Sequence, residues 1–140
     1  MKPACAGLLV LIGTLAFAQT TMRQLMLDLI HPASNEILLF VNRGGSKNEA
    51  DWAAVRRSAL TLAESGTLLT IPGRARDEGD WVKDAKMLAD VGTTAYKAAQ
   101  AKDFNALAAL TESLDASCTT CHKQYRPNVF PHQGTTGGSK

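Results

Sequence analysis

Cys118-Thr119-Thr120-Cys121-His122, close to the C-terminus, decides how the rest of the chain is read. Two thiols stand one helical turn apart and an imidazole follows at once. That spacing lets both thiols add to the vinyl groups of a haem while the imidazole takes the iron from below. Cys118 and Cys121 are therefore expected to carry a covalent haem c, with His122 as its proximal axial ligand. Other uses of the cysteine pair fit less well. A redox dithiol would follow a strand in a βαβ unit, and a structural zinc site would need a second pair of ligands. The sequence supplies neither, since the third cysteine is Cys5 and the other histidines, His31 and His132, have no ligand-like spacing.

The pentamer continues an apolar stripe. Leu107, Leu110, Leu114, Cys118, Cys121 and Tyr125 follow at three- and four-residue steps, which predicts a helix from a cap at Asp103 to about Arg126. Both cysteines lie on its buried face, so the cofactor is expected inside the protein. Pro127 stops this helix, and residues 128–140, ending in Gly, Ser and Thr, read as a flexible tail.

Three more helical segments precede it. The first, Met22 to Val41, puts Met22, Leu25, Met26, Leu29, Ile30, Ala33, Ile37 and Phe40 on one face. Thr21 with Gln24 forms a capping box at its start, and Gly44-Gly45 closes it. Pro32 is expected to kink or split it. Ser46 with Glu49 suggests a second box, opening a helix from Lys47 to Leu69 with Trp52, Val55, Ala59, Leu62 and Gly66 inward. A polar loop from Pro72 to Gly79 leads to Asp80, the expected cap of a third helix, Trp81 to Ala101. Its stripe is Trp81, Ala85, Leu88, Gly92, Ala95 and Ala99. The pattern predicts an all-α fold: an antiparallel up-down-up-down four-helix bundle with haem in the core near the C-terminal helix and the first helix beside the fourth.

Residues 1–18 read as a cleaved secretory signal peptide, with Lys2 as the basic start, an apolar run from Ala6 to Phe17, and Ala16-Phe17-Ala18 as the cleavage site. Cys5 leaves with it. The run is short for a membrane span, so no stable membrane insertion is expected after processing. Export suits covalent haem, which bacteria attach outside the cytoplasm, and points to a periplasmic protein with residues 19–127 as its cytochrome domain. The 15 Lys+Arg against 13 Asp+Glu leave no basic excess for nucleic acid.

With Cys118 to His122 followed by Lys123-Gln124-Tyr125-Arg126, and with Arg23-Gln24 near the start of the first helix, the mature chain resembles the class II c-type cytochromes, the cytochrome c′ and cytochrome c556 family. Pro32 and the glycine-rich approach to the third helix depart from that pattern. The resemblance implies a haem in the bundle core and adds Arg126 and Arg23 as cofactor-binding residues, Arg126 near the haem edge. Read from the residues alone, Arg126 is equally a helix-end cation favoured by the dipole.

In that family the sixth iron position separates two functions. Filled by a methionine from the first helix, it gives a one-electron carrier. Left empty behind apolar side chains, it gives a binder of small gases such as nitric oxide or carbon monoxide. Met26 is the expected distal ligand, set back from the chain start among Leu25, Leu29 and Ile30, with Met22 the alternative. Met87 is expected to pack and His31 to sit at the kink. The inward stripes offer almost no acid or base, so no enzyme is expected. The partners expected are redox proteins or a small gas ligand, with a homodimer left open.

Overall fold

The computed structural model describes residues 20–45 and 48–128, which form helices joined by turns, with no strand among them. The signal segment, Ser46 and all but the first residue of the C-terminal tail fall outside the described residues. None of the described helices is long and apolar enough to cross a membrane.

Helix α1 starts at the expected capping box. The Thr21 hydroxyl accepts the Gln24 backbone N–H, and the Gln24 side chain accepts the Thr21 N–H at 3.0 Å. The helix then runs unbroken through α-helical Met22–Gln24, a π-helical stretch Leu25–Ile30 and α-helical His31–Asn42. Pro32 therefore does not split it. The His31 N–H reaches back five residues to the Met26 carbonyl, so proline enters a turn already widened where its missing N–H would have broken an α-helical ladder. The wider turn shifts the buried face. Leu25 and Ile30, five residues apart, are buried, while Leu29, expected inward, is 40% exposed. Gly44 and Gly45, at φ +79° and +83°, end the helix, and the Gly45 N–H donates to the Phe40 carbonyl at 2.9 Å.

Two further starts differ from expectation. Helix α2, Glu49–Thr70, is capped by Asn48, whose side-chain oxygen accepts the Asp51 N–H at 2.9 Å. Ser46 lies two residues too early, because a capping side chain reaches only the second or third helical N–H. Helix α3, Asp80–Ala101, is held from outside by Asp77, whose Oδ1 accepts N–H groups from Gly79 and Trp81 at 2.9 and 3.0 Å. Asp80 is the first helical residue instead of the cap. The fourth helix is in fact two. Helix α4, Phe104–Ala108, is capped by Asp103, and helix α5, Thr111–Tyr125, follows a tight turn at Ala109-Leu110. There the Thr111 hydroxyl donates back to the Ala108 carbonyl at 2.9 Å, competing with a continuous backbone ladder.

The four long helices pack against one another around one core. In α2 and α3 the backbones approach directly, since a Cβ on Gly66 would stand 2.5 Å from the Ala85 carbonyl and one on Gly92 would meet the Ala63 nitrogen. Val55, Ala59, Leu62 and Ala99 are sealed between the helices, a residue such as Leu62 contributing about 2 kcal/mol by burial. The pairings Gly66 with Ala85 and Leu62 with Gly92 make α2 and α3 antiparallel. Phe40 meets Trp52 edge-on at 4.7 Å between α1 and α2, and Trp81 meets Tyr125 at 4.8 Å between α3 and α5. The expected closeness of the first and last helices takes a different form. Side chains of α1 and α5 face each other across an open cleft.

Candidate functional site

The stripe on α5 does what its spacing requires. Cys118, Cys121 and His122 are half-buried and line one small cavity, joined there by Met26 and Ile30 from α1 and by Trp81 and Asp84 from α3. The cavity has a volume of about 30 Å³, room for one water. It is walled by Leu69 and Leu88 and is almost wholly apolar. The π-helical turn contributes directly, because it carries Met26 and Ile30 to this wall while Leu25 stays buried in the core.

Burial sets the protonation of the three motif residues. It pushes the Cys118 thiol above its ordinary value and the Cys121 thiol up to about 11. The carboxylate of Asp84 adds to the shift of Cys121. His122 moves the other way, with burial first and the Arg126 guanidinium second in favouring neutral imidazole. The site therefore presents thiols, not thiolates, beside a neutral imidazole. Thiols held protonated are poorly suited to dithiol exchange, which uses thiolate, and a neutral imidazole is the form that ligates a metal. Ser117 and Ser34, both buried, turn their hydroxyls back to the Leu114 and Ile30 carbonyls at 2.7 and 2.9 Å, so their polarity is spent locally beside Cys118.

Asp84 is the residue that sequence reasoning missed. It is only 5% exposed, its Oδ2 has no hydrogen-bond partner among the described residues, and its carboxyl acts on the Cys121 thiol. Burial, then the charge of Asp80, raises its pKa. The statement that the inward stripes carry almost no acid needs this correction at the site itself. The signal was present, since Asp84 falls three residues after Trp81 and four before Leu88, on the buried face.

The cavity adjoins the open cleft, about 490 Å³, which shares Met26, Trp81, Cys121 and His122 with it. Met22 lines the cleft but not the smaller cavity, so Met26 alone of the two reaches the space that holds both cysteines. Arg23 and Arg126, expected near the cofactor, both line the cleft, and so does Arg76 from the α2–α3 loop. Met87 lies elsewhere, in a surface groove with Lys83 and Ser113, and His31 is exposed. Leu27, 53% exposed, reaches the cleft, and Leu29 reaches neither space. Among the described residues no three His, Cys, Asp or Glu side chains gather to hold a metal ion by themselves. In comparisons with known proteins, no family model, no curated protein and no solved structure matches the chain.

Proposed function

We propose that this chain is an exported c-type cytochrome that carries one covalent haem on Cys118 and Cys121 and serves as a one-electron carrier between periplasmic redox proteins. One observation carries the reading: two thiols, a neutral imidazole and a thioether from the opposite helix share one apolar cavity. The donor set fits the group. The small cavity is far smaller than a porphyrin, and the adjoining cleft between α1 and α5 is the space that suits one.

Bound there, haem iron supplies a one-electron redox couple. The chain's own residues do the rest. His122 offers its lone pair from α5, held neutral by burial. Met26 would offer a soft donor from α1, which would favour the reduced metal. Ile30, Leu69 and Leu88 keep water from that face, which limits solvent rearrangement on electron transfer. Arg23 and Arg126 offset negative charge at the cleft mouth.

Absorption spectra of the purified protein, oxidised and reduced, with and without carbon monoxide, test this function. The carrier shows a weak band at the red edge that reports methionine–iron coordination and does not change with the gas. A reduced Soret band that shifts sharply on adding carbon monoxide assigns the five-coordinate, gas-binding function instead.

A further inference from the structure

Three arginines from three separate elements line one space. Arg23 comes from α1, Arg126 follows α5, and Arg76 belongs to the loop between α2 and α3; all three line the cleft beside His122 and Cys121. Among the described residues the ion pairs are Lys86 with Asp90 and Lys102 with Glu49, and neither involves the three arginines. Like charges gathered around a cavity repel, and a dianion placed among them relieves that repulsion.

The loop that presents Arg76 is fixed on both sides of it. Two residues earlier, Arg74 donates Nη1 to the Leu68 carbonyl at 3.1 Å and Nη2 to the Thr20 carbonyl at 2.8 Å, tying the loop to the end of α2 and the entry to α1. One residue later, Asp77 accepts from Gly79 and Trp81 with Oδ1 and from the Tyr125 hydroxyl with Oδ2. Asp77 is the acid adjoining Arg76 in the chain, and these bonds already occupy it. Arg76 is thus carried by an anchored backbone to the edge of the cleft, with its planar fork unspent, and that fork matches a carboxylate through two parallel bonds.

We propose that Arg76 is a carboxylate-binding residue that completes, with Arg23 and Arg126, a three-arginine cradle for the two propionate groups of the haem. The inference rests on the haem reading above. Its test uses the full chain carrying Cys118→Ala and Cys121→Ala, so that porphyrin binding is reversible, with mesohaem and mesohaem dimethyl ester as the two probes.

Arg76→Gln in that background should weaken mesohaem binding about tenfold, the worth of one charge-assisted bond, and leave the diester unchanged. Arg76→Lys should recover part of the loss, because it restores charge without the fork. Equal weakening of both probes, or no change in either, overturns the proposal. Circular dichroism of the variants separates a loss of helix from a loss of contact. If the alanine background itself binds neither probe, the comparison moves to the haem-loaded chain with its cysteines intact. There Arg76→Gln should lower the midpoint potential while the axial-ligand bands stay in place, and an unchanged potential overturns the cradle without touching the haem assignment. Failure of the intact chain to acquire haem removes the underlying reading and the cradle together.

Discussion

The α2–α3 half and the α1–α5 half of this protein are built on opposite terms. In the first, glycine and alanine bring two backbones together, and Val55, Ala59, Leu62 and Ala99 leave no room for a guest. In the second, the helices stand apart, thiols and thioethers are only half-buried and three arginines face a cleft, while Asp84 of α3 is buried against the cysteine cavity without a full set of partners. The first half is closed by its own side chains, and the second leaves a cleft between its helices.

The contrast can be broken from either side. The largest expected effect is at the site: Cys118→Ser with Cys121→Ser should abolish covalent attachment entirely, as read by intact mass, while helix content by circular dichroism stays close to that of the parent without cofactor. Gly92→Ala strikes the other half. Its new methyl meets the Ala63 nitrogen and lies 2.8 Å from the Leu62 carbonyl carbon, which should cost roughly 1–3 kcal/mol in a urea melt. An unchanged melt would mean that α2 and α3 are not so closely apposed. Met26→Ala comes next. It should convert the spectrum of the loaded protein to high spin and open the iron to carbon monoxide, whereas Met22→Ala should leave ligation intact, since Met22 does not reach the cavity that holds both cysteines and His122.

The smallest effect belongs to Asp84 and shows as a slope against pH. Its pKa in the folded protein is raised above the ordinary 3.8, mainly by burial. The folded state therefore holds the proton more tightly than the unfolded one. Its contribution to stability is fully present below the unfolded pKa and is lost as pH rises through the folded value. Asp84→Asn should remove that loss, so in the cofactor-free chain the variant gains stability over wild type as pH rises above the ordinary carboxylate range. Urea melts below and above that range that differ by the same amount for both proteins would contradict this.

What the sequence made legible follows from where period and chemistry coincide. The stripe from Trp81 to Ala99 was readable because α3 keeps an unbroken 3.6-residue period, and every expected residue on it is buried. The stripe on α1 was only partly readable, because the π-helical turn replaces a four-residue step with the five-residue step from Leu25 to Ile30 and sends Leu29 outward. The break at Ala109-Leu110 left no mark in the apolar spacing, since Leu107, Leu110 and Leu114 step normally across it. Cys118, Cys121 and His122 could be singled out because their chemistry is contiguous in the chain. Arg76 could not, because it joins the site from a loop and only packing brings it there, and Asp84 was marked only by its place on the buried stripe of α3.

The most direct test is the intact mass and colour of the full chain exported by a host competent in cytochrome maturation. The account predicts a red protein whose mass exceeds that of its polypeptide by one haem, carried on the peptide containing Cys118 and Cys121. A colourless protein with the mass of the bare polypeptide contradicts it.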